Sequence, residues 1–285
     1  ISPLIGEKID IPAPDVNTNG KIMSWMVDAY ENVVKHSAPG VFTGKPVEFG
    51  GSLARTEATG YGVNFAAVQA LEKLGKDVKG ATYAIQGFGN VGYHTGYYAH
   101  KAGAKIVAVS TVDVAIYNEN GLDMEAIIKE FQTKGFITNE AGYGKEISNA
   151  ELLALEVDVL APCALENQLT SENAGKVRAK IVVEGANGPT TPEADVILRQ
   201  NGVLVVPDIL ANCGGVVVSY FEWVQNLQGY YWEFDEVQEK ETVVLRRAFR
   251  DIWNLAKEYD VDLRTASYMM SIRRVEKAMK LRGWY

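Results

Sequence analysis

Three glycines at fixed spacing, Gly87, Gly89 and Gly92, carry the clearest chemistry in this sequence of 285 residues. They follow an apolar segment at 82–86 and open a helical pattern at 91–102. In such a strand–turn–helix unit the first glycine permits a tight turn, the second lets the backbone approach a pyrophosphate, and the third lets the helix pack on the strand. The helix N-terminus points its amides at the phosphates. Residues 87–92, the glycine loop, therefore predict dinucleotide binding; the alternative is a purely structural turn.

Short apolar segments separated by helical patterns predict the elements that hold this loop. Five strands are expected, at 82–86, 105–109, 157–160, 181–183 and 203–206, and each is apolar throughout rather than alternating. Strands of that kind lie inside a parallel sheet that has helices on both faces. We therefore expect an α/β fold, with a doubly wound, mostly parallel Rossmann sheet and helical flanking segments.

Helical periodicity places the remaining elements. Helices are expected at 22–35, 61–74, 91–102, 124–134, 192–199, 212–227, 233–259 and 264–282. We predict a junction segment at 1–59, a dinucleotide-binding domain at 60–263 and a C-terminal helix at 264–285. Because ligands bind beyond the carboxyl ends of parallel strands, the expected cofactor cleft is formed by residues 87–92, 110–113, 161–164, 184–187 and 207–212.

Composition argues against several classes of function. The net charge of −8 disfavours a nucleic-acid surface, because phosphate binding needs clustered lysines and arginines. No apolar run approaches the roughly 18 residues of a membrane span. Cys163 and Cys213 lie far apart without zinc-ligand spacing, which predicts reduced, buried thiols in a cytoplasmic protein. The three histidines also lack metal-ligand spacing, so no metal site is expected.

Four segments together resemble the glutamate dehydrogenases of the Glu/Leu/Phe/Val dehydrogenase superfamily. They are IPAPDVN at 11–17, RTEATGYG at 55–62, AIQGFGNVG at 84–92 and NCGGVVVSYFEWVQN at 212–226, supported by EGAN at 184–187. The resemblance implies an oxidoreductase that converts L-glutamate, water and NAD or NADP into 2-oxoglutarate, ammonia and the reduced cofactor. It also implies a homohexamer for the intact enzyme.

The family's N-terminal substrate domain, with its glycine-rich lysine segment and catalytic lysines, has no match that we find in this sequence. Because the sequence opens on Ile1 and a proline-punctuated stretch, we expect a chain that begins partway through a longer protein, at the family's domain junction. The helix at 264–285 is expected to return to the substrate domain. The chain by itself is expected to bind nucleotide with little or no turnover, and its own oligomeric state is not predicted.

Two residues take substrate roles from the resemblance. Asp15 matches the catalytic aspartate that shuttles a proton to or from the substrate amine; its alternative is a turn residue that caps amides. Ser219 matches the residue that binds the substrate's side-chain carboxylate; its alternative is a helix serine bonded to its own turn. A hydroxyl there favours glutamate over the apolar substrates of leucine, valine and phenylalanine dehydrogenases, which stay an alternative. The companion lysine would lie in the unmatched domain.

The resemblance assigns further residues to the cofactor. Thr59 matches a residue that hydrogen-bonds the nicotinamide amide, and its alternative role is a helix N-cap. Asn187 and Asn212 match positions near the nicotinamide and its ribose, and their alternative is a turn in the left-handed conformation. Donors around the pyrophosphate are expected from the glycine loop, at Phe88, Asn90 and Val91.

The end of the second strand bears on the choice of cofactor. Rossmann folds place an acidic residue there to bind the adenosine ribose. Where many family members read VSDS this sequence reads VSTVD, so Thr111 replaces the aspartate and Asp113 lies two residues further on. No lysine or arginine lies between 110 and 119 to receive a 2′-phosphate, whose burial without a cation is costly. We therefore expect NAD, with NADP less favoured; a non-catalytic NAD-binding module is a further alternative.

Overall fold

The computed structural model describes residues 1–15 and 17–284 of the chain. The chain divides into two compact units. The first unit comprises Ile1–Thr59 and Gly214–Val244, and the sheet unit comprises Gly60–Cys213 and Leu245–Tyr285. This division differs from the predicted domains in two places. Residues Gly214–Val244 belong to the first unit and interrupt the predicted domain at 60–263, and the C-terminal helix belongs to the sheet unit.

Seven strands form the sheet. They are β1 (Thr82–Gln86), β2 (Lys105–Ser110), β3 (Ala115–Tyr117), β4 (Lys145–Ile147), β5 (Val159–Pro162), β6 (Ile181–Val183) and β7 (Leu204–Val206). Their order across the sheet is β4-β3-β2-β1-β5-β6-β7. β1 is parallel to both β2 and β5, and β6 and β7 continue the parallel pairing, whereas β3 and β4 are antiparallel additions. The predicted mostly parallel α/β sheet is confirmed.

The order of the strands reverses at β1. The chain passes from β1 to β2 on one side and later returns to β5 on the other side. In open parallel sheets such a reversal creates a crevice at the carboxyl ends of the central strands, where ligands bind. The segments that follow β1 and β5 are therefore the first places to look for a site.

Both faces of the sheet are buried. Tyr83 and Ile85 enter the core cluster on one face, whereas Ala84 enters the cluster on the other face with Leu160. Successive side chains of a strand point to opposite faces, so a strand covered on both sides needs apolar residues at consecutive positions. This burial explains why the central strands are apolar throughout.

Ten α-helices complete the described part of the chain. They are α1 (Gly20–Val34), α2 (Ala58–Lys73), α3 (Asn90–Lys101), α4 (Met124–Lys134), α5 (Asn149–Leu153), α6 (Pro192–Gln200), α7 (Asp208–Ala211), α8 (Gly214–Gln228), α9 (Phe234–Tyr259) and α10 (Leu263–Leu281). Side-chain caps begin several of them: Asn19 accepts from the amide of Ile22, and Asp123 from that of Ala126. Among the residues that the structure describes, no helix combines the length and apolarity needed to cross a bilayer.

Two strands and two short helices were not predicted. β3 and β4 have three residues each; β3 is apolar but short, and β4 has no buried residue and produces no apolar run. α5 has five residues and is held by a capping box between Ser148 and Glu151, while α7 has four residues. Elements this short depend on local caps and neighbouring strands rather than on periodicity.

Candidate functional site

The glycine loop joins β1 to α3, and each of its glycines has a distinct structural reason. Gly87 has a φ of +84°, and a Cβ there would lie 2.6 Å from the Cα of Ala164. A Cβ on Gly92 would collide with the carbonyl oxygen of Gly87, so this glycine allows α3 to start against the end of β1. Gly89 is exposed, and a Cβ there would meet no atom within 4 Å. The fold itself therefore requires Gly87 and Gly92, while the space beside Gly89 is open to a ligand.

The amides of the loop are oriented for an anion. α3 begins at Asn90, with Gly89 as its N-cap and no side chain capping the helix. The first amides of a helix lack intrahelical partners and carry the positive end of its dipole. Phe88 is buried and packs edge-on against Tyr93 and Phe131, so its contribution to a ligand is limited to its backbone. Of the three predicted donors, Asn90 is exposed and Val91 half-buried.

Ser110 fixes the start of the loop, although sequence reasoning gave it no role. It is the last residue of β2 and is 2% exposed, and its Oγ accepts a hydrogen bond of 3.1 Å from the amide of Gly87. The hydroxyl thereby links the ends of two neighbouring strands. Its position in the predicted cleft was visible in the sequence, but the partner is set by the pairing of β1 with β2.

The turn between β2 and β3 uses the Thr111 hydroxyl for its own closure. Thr111 Oγ1 accepts from the amides of Asp113 and Val114 at 3.3 and 3.2 Å, and the Thr111 amide donates to the Val114 carbonyl at 2.7 Å. The Asp113 side chain is exposed at the tip. Thr111 and Asp113 were both predicted to bind the adenosine ribose. The Thr111 hydroxyl is engaged in closing the turn, whereas the Asp113 carboxylate is exposed.

Asn187 and Asn212, predicted independently from two segments, lie together. Asn212 Nδ2 donates to Asn187 Oδ1 at 2.6 Å and approaches the Gly185 carbonyl at 3.3 Å. Asn187 is exposed and Asn212 is half-buried. The pair therefore presents amide groups beyond β6 and β7, on the same unit as the glycine loop.

A buried ion network holds the two loops that carry these asparagines. Glu184, fully buried at the end of β6, accepts from Arg264 Nη2 at 2.6 Å and from the Asp208 amide at 2.8 Å. Arg264 on α10 also pairs with Asp195 and with Asp208, and Asp208 accepts from the Gly188 amide at 2.7 Å. Burial raises the pKa of Glu184, and its acidic neighbours raise the pKa of Arg264. No local pattern predicts this network, because 80 residues separate Glu184 from Arg264.

In the first unit, Ser219 is bound by Arg55. Arg55 Nε donates to Ser219 Oγ at 2.8 Å, across 164 residues of sequence. Burial lowers the pKa of Arg55. Among the described residues, the negative charges of Glu222 and Glu241 raise this pKa, but neither carboxylate forms a hydrogen bond with Arg55. The guanidinium is thus partly desolvated and has no carboxylate hydrogen-bonded to it among the described residues. Arg55 lies in a segment that carried the resemblance, but its role was missed.

Two glycines at the start of α8 bring Thr59 to this cluster. A Cβ on Gly215 would collide with Thr59 Oγ1, and a Cβ on Gly214 would collide with the Ala58 carbonyl. Thr59 is the second residue of α2 and is half-buried. The glycine pair therefore lets the N-termini of α2 and α8 approach each other closely, beside the pair formed by Arg55 and Ser219.

Asp15 lies in an exposed turn of the same unit. Its amide donates to Thr18 Oγ1 at 2.6 Å, and its carbonyl accepts from that hydroxyl at 2.7 Å. The preceding ring of Pro14 packs where a Cβ on Gly44 would be, and Gly44 donates to Glu222 on α8 at 2.9 Å. Residue 16 of the predicted IPAPDVN segment lies outside the described residues. The Asp15 turn is thus anchored to the helix that carries Ser219.

Cys163 and Cys213 form no disulfide within the described residues, and both are half-buried rather than fully buried as predicted. Cys163 follows β5, and the desolvation of its thiol raises its pKa to about 12. A thiol of such high pKa stays protonated and unreactive at neutral pH.

Comparison with known proteins identifies this arrangement. The family model described as "Glutamate/Leucine/Phenylalanine/Valine dehydrogenase" matches residues 50–283. The chain belongs to the Glu/Leu/Phe/Val dehydrogenase family. A second model of this family, described as its dimerisation domain, matches residues 1–32. The expectation that no segment matches the family's N-terminal domain is therefore wrong for these residues.

Relatives within the Glu/Leu/Phe/Val dehydrogenase family are similar over the whole chain. The "NAD-specific glutamate dehydrogenase" of Clostridioides difficile is 54% identical over 99% of this chain and 68% of its own length. The structure of glutamate dehydrogenase from Peptoniphilus asaccharolyticus has a TM-score of 0.87 at 44% identity, covering 100% of this chain and 68% of that one. A hetero-hexameric glutamate dehydrogenase from Thermus thermophilus, in a leucine-bound form, has a TM-score of 0.92 at 34% identity, with 100% and 67% covered.

Proposed function

We propose that this chain is the cofactor-binding part of an NAD-linked glutamate dehydrogenase of the cytoplasm. The reaction converts L-glutamate, NAD and water into 2-oxoglutarate, ammonia, NADH and a proton. The single observation that carries the proposal is the glycine loop, in a chain whose family is a dehydrogenase family. Two of its glycines are required by packing, whereas the third faces open space at an uncapped helix N-terminus.

The residues of the sheet unit fit a dinucleotide. The loop amides at 88–91 would bind the pyrophosphate, and the Asn187 and Asn212 amides would bind the nicotinamide end. Bound NAD supplies the acceptor for the hydride that leaves the substrate Cα. At the other end, Asp113 would repel a 2′-phosphate, and the name of the Clostridioides relative supports NAD as well.

The first unit supplies groups for the substrate. The Arg55 guanidinium and the Ser219 hydroxyl, 2.8 Å apart, form a polar pair suited to a carboxylate. We propose that they bind an acidic substrate and that Thr59 hydrogen-bonds the nicotinamide amide. Asp15 would take and return the proton of the substrate amine. Leucine, valine or phenylalanine would leave the partly desolvated guanidinium without a carboxylate partner, which makes apolar substrates the less favoured alternative.

Calorimetric titration with NADH and NADPH tests the cofactor part of the proposal. We expect NADH to bind at least tenfold more tightly than NADPH, a difference of about 1.4 kcal/mol. The matched variant is Asp113→Asn, which removes the exposed carboxylate and should narrow the gap by improving NADPH binding alone. Tighter NADPH binding by the wild type would overturn the choice of NAD. No binding of either nucleotide would overturn the proposed function and leave a non-binding module.

Turnover and assembly are separate parts of the proposal. Because the sequence has no match to the family's lysine segment, we propose little or no turnover by this chain alone. Mixing it with a substrate domain from a relative should restore NADH formation that depends on glutamate, whereas a preference for leucine would favour the alternative substrate. We propose that the intact enzyme is a homohexamer; analytical ultracentrifugation of that enzyme tests this.

A further inference from the structure

A buried carboxylic acid lies behind the cluster formed by Arg55, Ser219 and Thr59. Glu241 on α9 is 1% exposed, and neither of its carboxyl oxygens has a hydrogen-bond partner among the described residues. Buried polar groups of folded proteins are nearly always paired, so an acid with two unpaired oxygens calls for an explanation.

The position of Glu241 places it directly against the substrate-binding elements. One carboxyl oxygen of Glu241 lies so close to Gly214 that a Cβ on this glycine would collide with it. The same Cβ would also collide with the Ala58 carbonyl oxygen. The Arg55 guanidinium lies beside the next residue, with Nη1 3.4 Å from the position of a Cβ on Gly215. The acid and the guanidinium therefore flank adjacent residues at the start of α8, close enough to interact without forming an ion pair.

The surroundings keep the acid neutral at ordinary pH. Burial, followed by the negative charge of Glu57, raises the pKa of Glu241 to about 9, against the opposing effect of Arg55. On α8, the other buried carboxylate near Arg55 is Glu222, which is paired with Lys45 at 2.6 Å. Glu241 is thus the carboxylate whose charge state changes within the alkaline range while Arg55 stays charged.

We propose that Glu241 is a positioning residue whose protonation decides whether the Arg55 guanidinium is directed to Ser219 and an anionic substrate or to Glu241 itself. The neutral acid leaves the guanidinium hydrogen-bonded to Ser219, with Glu222, which is paired with Lys45, as the remaining carboxylate that acts on it. When Glu241 is ionised, its buried carboxylate attracts the Arg55 guanidinium across the start of α8 and neutralises the guanidinium charge. An increase in pH should therefore weaken the binding of a substrate carboxylate. The substrate part of this inference rests on the proposed function; the coupling between the two side chains does not.

The coupling is tested on the ligand-free chain by nuclear magnetic resonance. Two signals should titrate together with a midpoint near pH 9: that of the Glu241 carboxyl carbon and that of the Arg55 Nε–H. The Arg55 signal is assigned by its loss in Arg55→Lys. In Glu241→Gln the Arg55 signal should not change with pH. In Glu239→Gln, which alters an exposed residue of the same helix, the Arg55 signal should titrate as in the wild type. Glu57→Gln should move the midpoint to lower pH. A carboxyl midpoint below pH 6, or an Arg55 signal that does not respond, would overturn the inference.

The consequence for substrate is measured with glutarate, a dicarboxylate that lacks the reacting amine. Its dissociation constant with the holoenzyme should rise roughly tenfold between pH 7 and pH 10, and Glu241→Gln should abolish that rise. An identical pH profile in the variant would refute the role of Glu241 in substrate binding. If glutarate does not bind at any pH, the proposed substrate site fails, and the magnetic resonance titration still decides whether Glu241 controls Arg55.

Discussion

Replacement of Glu241 by glutamine should stabilise the protein, and the gain should depend on pH. Unfolding exposes the glutamate to water, where its pKa returns from about 9 to the ordinary value of 4.5. Between these two pH values the folded chain binds a proton that the unfolded chain does not bind. The free energy of unfolding therefore falls as pH rises through this window, and glutamine, which cannot ionise, removes that loss.

The magnitude follows from the width of the window. Each unit of pH above the unfolded pKa costs the wild type about 1.4 kcal/mol. At pH 7 the accumulated loss is about 3 kcal/mol, whereas at pH 5 it is below about 1 kcal/mol. The advantage of Glu241→Gln over the wild type should therefore grow by about 2.5 kcal/mol between pH 5 and pH 7. The difference between pH 5 and pH 7 is the same for any pKa of Glu241 in the folded chain that lies well above 7.

Urea unfolding of both proteins at pH 5, 6, 7 and 8 measures this difference. All other titrating groups are common to both chains and cancel in the difference between their free energies of unfolding. Glu239→Gln on the same helix is the control, and since Glu239 is exposed its curve should run parallel to that of the wild type. A constant difference between Glu241→Gln and the wild type across this range would show that Glu241 is ionised in the folded chain, and would refute the reasoning.

Four further substitutions probe the loop and its support. Gly92→Ala should destabilise the fold by about 2 kcal/mol or more because its Cβ meets backbone, whereas Gly89→Ala should keep the melting temperature and weaken NADH binding in calorimetry. Ser110→Ala removes the acceptor that orients the first loop amide, so NADH affinity should fall severalfold, by about 1 kcal/mol; unchanged affinity would contradict this role. Arg264→Met leaves Glu184 buried without its cation and should cost about 3 kcal/mol in urea unfolding, while a loss under about 1 kcal/mol would show that the network contributes little.

Residues close together in sequence were the ones whose place in the fold could be predicted. The glycine loop, the strand before it and the helix after it are a local unit, so spacing alone placed Gly87, Gly89 and Gly92 correctly. The segments that carry Asn187 and Asn212 were placed in one cleft because they follow β6 and β7, and parallel strands bring their carboxyl ends to one edge; the cofactor roles of the two asparagines stay predictions. β4 was missed because none of its residues is buried, and β3, although apolar, is a short antiparallel strand outside the parallel pattern by which β6 and β7 were predicted.

Local patterns of residues were enough to predict the fold class, the family and the loop, because apolar runs and glycine spacing act over a few residues. The partner of each polar side chain, in contrast, is set by the folded structure. Arg55 meets Ser219 across 164 residues, and Arg264 meets Glu184 across 80 residues. The two unpaired oxygens of Glu241 likewise became visible only once α9 packed against the start of α8. Burial and long-range contact set the charge of such groups, and neither quantity is encoded in any local pattern of residues.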